Sequence, residues 1–77
     1  RDIQGVKVAC LFEEIEPEIT RISLRSKLPE LDVSIIAVSF GGGGHQSAAG
    51  ARIPGKQITI QRQVLSAVKK ALVDTKK

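Results

Sequence analysis

Asp32-Val33-Ser34-Ile35-Ile36-Ala37-Val38-Ser39-Phe40-Gly41-Gly42-Gly43-Gly44-His45-Gln46-Ser47-Ala48-Ala49-Gly50 reads as a helix, its stop signal and a glycine run in unbroken succession. Val33, Ile36, Ala37 and Phe40 recur at i, i+3, i+4 and i+7, which is the spacing of one buried helical stripe. Asp32 is the residue type that caps a helix N-terminus by accepting from an early backbone N–H. The spacing therefore predicts a helix of about two turns ending at Phe40, with Gly41 at the C′ position where left-handed geometry favours glycine. Gly42, Gly43 and Gly44 are left without a role in that helix. Flexible linkers are rich in glycine and serine, but this run is walled by Ile35, Ile36, Val38 and Phe40 before it and by Ala48, Ala49 and Ala51 after it.

On the N-terminal side, Gly5 to Glu13 reads as a strand with Val6, Val8, Cys10 and Phe12 on one face. Ala9 and Leu11 make the opposite face partly apolar, so both faces are expected to be covered. Glu14-Ile15-Glu16-Pro17 is read as a turn, because proline fixes φ and lacks an N–H. Glu18 to Ser26 then alternates, with Thr20, Ile22 and Leu24 against Arg21, Ser23 and Arg25, and the two strands are expected to pair as an antiparallel hairpin. On the C-terminal side, Ser47 to Ile53 predicts a third strand closed by Pro54-Gly55. A last helix from about Thr59 to Asp74 follows from the stripe Val64, Leu65, Val68, Ala71 and Leu72, with Arg62, Lys69 and Lys70 outside it. Lys76 and Lys77 come after the last turn, where positive charge complements the helix dipole. The expected fold class is α+β: a small antiparallel or mixed sheet with helices packed on it, in the order strand, strand, helix, strand, helix.

Seventy-seven residues, 42% hydrophobic and 26% charged, suit one globular domain. A chain of that length buries only about 60% of the surface its unfolded form exposes. The first residue is Arg1 and there is no methionine, so the chain reads as part of a longer protein. No apolar run approaches the roughly 20 residues that span a bilayer, and no leader pattern is visible. A cytoplasmic location without membrane association is the expectation. Phe12 and Phe40 are the only aromatics, which argues against a platform that stacks successive bases. Cys10, the single cysteine, excludes an internal disulfide and a cysteine-cluster metal site, and its apolar neighbours suggest a small core residue. The net charge of +4 is divided unevenly: residues 1 to 18 carry −3 and residues 19 to 77 carry +7. The basic part suits an anionic partner, although solvated lysines and arginines on helix faces account for most of the same charges.

The glycine run lacks the lysine and hydroxyl of a P-loop and follows a helix rather than a strand, so neither nucleotide fingerprint applies. Its backbone amides could form a concave nest for an anion, with His45 at the rim able to donate to a phosphate. A histidine satisfied by a nearby carbonyl is the plainer alternative. One histidine without neighbouring carboxylates or thiols cannot build a metal site here, and no nucleophile, base and orienting group occur together, so no catalytic residue and no metal ligand is assigned. Arg25, in Ser23-Leu24-Arg25-Ser26, has the planar fork that matches two phosphate oxygens. Its alternative is an ion pair with the acidic segment Glu13 to Glu18. Arg21 is expected to pair with Glu13 or Glu18.

Ile22-Ser23-Leu24-Arg25-Ser26, the helix from Asp32 to Phe40, and Gly41-Gly42-Gly43-Gly44-His45-Gln46-Ser47-Ala48-Ala49-Gly50, in that order, resemble the DHHA1 domain of the DHH phosphoesterases. The pattern looks most like the branch of nano-RNases and pAp-phosphatases, related to the RecJ-like exonucleases. The resemblance implies one DHHA1 domain over residues 1 to 77, C-terminal to a DHH catalytic domain that is not in this sequence and that holds manganese. It implies that Arg25, Gly42, Gly43, Gly44 and His45 bind substrate, with Lys27 and Ser47 as further members. The implied partners are a short oligonucleotide or nucleotide phosphate and the chain's own DHH domain. Two other readings share the motif: a cyclic dinucleotide phosphodiesterase, and an RNA-contacting domain like the one that ends alanyl-tRNA synthetase.

Overall fold

Period-two alternation from Val8 to Ser26 produces the first two strands, and a computed structural model describes residues 7 to 75 of the chain. The first strand, β1, runs Val8–Glu16 and the second, β2, runs Ile19–Ser26, paired antiparallel with Cys10 opposite Leu24 and Phe12 opposite Ile22. The expected start of the first strand at Gly5 and Val6 lies outside the described residues. β1 continues three residues past the expected end at Glu13, through a register shift between Glu14 and Glu16. The turn is therefore Pro17-Glu18, with Glu18 at φ 60°. Proline followed by a positive φ is the order that type II turns use.

The helix α1, Val33–Ser39, is bounded as its sequence requires. The Asp32 carboxylate accepts from the Ser34 N–H at 2.9 Å. At the other end, Gly41 has φ +90°, its N–H donates to the Val38 carbonyl at 2.9 Å, and the Gly42 N–H donates to the Ala37 carbonyl at 2.8 Å. This pair of bonds is the Schellman motif, which satisfies the carbonyls left over at a helix end.

Beyond it, Gly43–His45 forms a three-residue strand, β3, and Ala48–Pro54 forms β4. The expected order lacks β3, and the expected third strand begins one residue later, because Gln46-Ser47 makes the turn between the two. All strands are antiparallel in the order β1-β2-β4-β3, so the expected α+β class holds with a fourth strand at the edge. The last helix, α2, covers Gln57–Thr75 and starts two residues before Thr59. Lys76 and Lys77 lie outside the described residues.

Both helices lie on one side of the sheet. Ile22, Leu24, Ala51 and Ile53 meet Val33, Ile36, Ile60, Val64 and Val68 in one cluster, with Cys10, Phe12, Phe40, Ala71 and Leu72 half-buried around it. Fully burying a side chain such as Ile22 or Val64 contributes about 1.5–3 kcal/mol. Burial also pushes the Cys10 thiol pKa up, as expected for a core cysteine. Ile60 joins the core instead of Leu65, which is exposed: Ile60, Val64 and Val68 recur at i, i+4 and i+8 on one helix face, and Leu65 falls beside it. The other side of the sheet is bare: Ala9 is exposed and Leu11 is 69% exposed. The expectation that both faces of the first strand are covered is therefore corrected. Among the described residues both helices pack on one face, and none covers the other.

Candidate functional site

Strand pairing projects every second residue onto the bare face. One cross-strand row there reads Ala9, Arg25, Ala48, His45, and the next reads Leu11, Ser23, Gly50, Gly43. Arg25 and His45 are thus two strands apart, roughly 10 Å at standard strand spacing, with the small residues Ala48, Gly50 and Gly43 between them or beside them. Both side chains are exposed.

Arg25 has no ion pair among the described residues, whereas Arg21 is paired with Glu13, its cross-strand neighbour. This separates the two arginines that the sequence leaves ambiguous. The acidic segment is taken up at Arg21, one row from Leu11 and Ser23, and Arg25 stands beyond it. Arg52 faces Arg21 directly on β4, adding a cation that sequence reasoning misses.

Geometry divides the glycine run. A Cβ at Gly42 would lie 2.0 Å from the Gly50 carbonyl oxygen and 2.5 Å from Ala51 Cβ. At Gly44 the φ is +147° and a Cβ would lie 2.5 Å from Ala49 Cα. Gly42 is required by packing, and Gly44 by packing and backbone shape. Gly43 has neither demand: its φ is not positive and a Cβ there would meet nothing within 4 Å. Its missing side chain leaves open space on the bare face, beside His45. The expected concave nest of amides gives way to a strand edge, because β4 pairs with Gly43 to His45 and the Gly42 N–H is engaged by Ala37. Alternate peptide groups of an edge strand still point outward to solvent.

The turn that carries His45 is fastened at three places. The Val33 N–H donates to the Gln46 carbonyl at 3.0 Å, the Ser26 N–H donates to the Ser47 carbonyl at 3.0 Å, and Gln46 Nε2 donates to the Pro29 carbonyl. Ser26 Oγ in turn accepts from the Leu28 N–H at 3.0 Å, which shapes the segment bearing Lys27. Lys27 and Ser47 lie next to Arg25 in a pocket of about 290 Å³, whose other lining residues are Lys7, Ala9 and Ser26. Lys7 is a further member that sequence reasoning misses, although the alternation that places Ala9 and Leu11 on the bare face places Lys7 there as well. Arg25, Gly43 and His45 are therefore brought onto one face, with Lys27 and Ser47 at its end, while Gly42 and Gly44 serve the packing beneath it. Among the described residues no three His, Cys, Asp or Glu side chains lie together as metal ligands do.

The DHHA1 domain family matches residues 1–74. This chain is a DHHA1 domain. DHHA1 domains are C-terminal accessory domains of DHH phosphoesterases, which supports a phosphoester hydrolase as the parent protein. The DHHA1 face carries exposed Arg25 and His45 beside Gly43, whose missing side chain leaves open space. No helix among the described residues is long and apolar enough to cross a membrane.

Proposed function

We propose that this DHHA1 domain is the substrate-binding half of a cytoplasmic, manganese-dependent DHH phosphoesterase that hydrolyses short oligonucleotides and removes phosphate from pAp-like nucleotides. The observation that carries the reading is the open row of Arg25 and His45 with Gly43 beside it. An arginine without an ion pair and a histidine side chain without a hydrogen bond among the described residues share one uncovered surface with a glycine that packing does not require.

On this reading the bare sheet face turns toward the DHH domain, and its apolar and cationic residues form one wall of the substrate cleft. Arg25 holds phosphate oxygens through its two-pronged donor set, and His45 donates to a neighbouring oxygen from across Ala48. Gly43 lets the sugar-phosphate chain lie against the main chain. Manganese, held by the DHH domain, would supply the Lewis-acid chemistry of the hydrolysis. This chain fixes the remainder of the substrate so that the scissile phosphate stays in place. A face only four strands wide, without an aromatic ladder, matches substrates of very few nucleotides.

The test compares Arg25→Ala and His45→Ala with wild type in the full-length protein, using a dinucleotide. Each variant lacks one charge-assisted hydrogen bond to phosphate, so kcat/KM should fall by roughly 1.5–3 kcal/mol in transition-state stabilisation. Unchanged kcat/KM in both variants would overturn the proposal.

A further inference from the structure

At one edge of the sheet, β1 has a strand on one side only among the described residues, since the order is β1-β2-β4-β3. It is nine residues long, against three for β3 at the other edge. The Lys27 N–H donates to the Lys7 carbonyl at 2.7 Å, so in the antiparallel ladder the main-chain groups of Lys7, Ala9, Leu11 and Glu13 turn toward β2. Those of Val8, Cys10 and Phe12 point outward from the edge.

Proteins commonly guard such an edge with charge, proline or a bulge. On β1 the acidic residues Glu13, Glu14 and Glu16 and the register shift between Glu14 and Glu16 all lie at the C-terminal end. Val8-Ala9-Cys10-Leu11-Phe12 carries no such guard. Its side chains are also incompletely covered: Val8, Cys10 and Phe12 are half-buried beside the core, Ala9 is exposed, and Leu11 is 69% exposed.

We propose that β1 pairs antiparallel with β1 of a second copy about a two-fold axis at Cys10, joining two four-stranded sheets into one. The choice of a second copy as the occupant comes from charge and pattern, because Lys7-Val8-Ala9-Cys10-Leu11-Phe12-Glu13 is complementary to its own reverse. Centred on Cys10, the pairing sets Val8 opposite Phe12, Ala9 opposite Leu11, and Lys7 opposite Glu13, each twice, as an isologous interface requires. Apolar residues meet apolar ones and each base meets an acid, and opposite charges facing one another across strands are stabilising. Moving the axis to Ala9 or Leu11 sets Lys7 opposite Leu11 or Ile15 and loses the charge pairing. Residues of the bare face stand opposite residues of the bare face, so both uncovered surfaces lie on the same side of the joined sheet. The inference stands apart from what that surface binds.

The experiment treats the full-length protein with a zero-length carbodiimide, which condenses an amine and a carboxylate in contact into an amide, and maps the cross-linked dimer by mass spectrometry. A Lys7–Glu13 amide is expected. It can form only between copies, because within one strand the two residues are about 20 Å apart. Lys7→Glu should raise the dimer Kd, measured by sedimentation equilibrium, about tenfold, since two attractive pairs become repulsive. The double variant Lys7→Glu/Glu13→Lys should return Kd to within about threefold of wild type and give the amide with its two ends exchanged. Sedimentation as a monomer at every concentration, a dimer without the Lys7–Glu13 amide, an amide from Lys7 to Glu14 or Glu16 in its place, or a Kd indifferent to the charge reversal would each overturn the pairing.

Discussion

At Gly42 an added methyl group would collide with the Gly50 carbonyl and Ala51, while at Gly43 it would enter open space. Two adjacent and identical residues are therefore held by different constraints. Gly42→Ala is expected to destabilise by about 1–3 kcal/mol, the usual cost of forcing extra volume into a packed site. Gly43→Ala should leave the unfolding free energy unchanged or raise it by up to about 1 kcal/mol, because alanine narrows the unfolded ensemble. The same Gly43→Ala should lower kcat/KM on a dinucleotide in the full-length protein. Chemical denaturation beside steady-state kinetics checks both; a Gly43→Ala protein with full activity would remove that residue from the site. Arg25 and Arg21 present a similar contrast, since both alternate onto the same face of β2. Only the cross-strand register, Glu13 opposite Arg21, decides which of them is neutralised.

Among the elements, α1 is the most legible. A seven-residue helix is too short to persist alone, so its ends are written into the chain by Asp32 and Gly41, both of which act through bonds a few residues away. Asp32→Ala should reduce stability by about 1 kcal/mol, with an unchanged denaturant m-value showing that the unfolded state is not altered. A stability equal to wild type would mean that the hydrogen bond between Val33 and Gln46 holds the helix start without the cap. β3 is the least legible element. Glycine lacks the branched side chains that mark strands, and the run contains no alternation to detect. It becomes a strand because β4 offers a partner edge and because the Schellman turn delivers Gly43 to it. In α2, Ile60 and not Leu65 completes the core, and which of the two packs depends on where the sheet lies.

For the whole molecule, placing both helices on one side of a four-stranded sheet leaves the other side as an uncovered surface carrying Arg25, His45 and Gly43. The proposed reading assigns binding to this face and leaves the chemistry to a DHH domain. The isolated 77-residue chain is accordingly expected to hydrolyse no dinucleotide with added Mn²⁺; turnover by rigorously purified chain would contradict the division of labour. The amino-acid sequence alone determined the α+β class, the bounds of α1, the alternation that sorts β2 into a buried and an exposed face, and the glycine–histidine motif, because each depends on residues within a few positions of one another. The tertiary structure decided which face stays bare, that Glu13 neutralises Arg21 and leaves Arg25, and that Lys7 meets Lys27. These depend on register between strands distant in sequence, and a shift of one residue would send every one of those side chains to the opposite face.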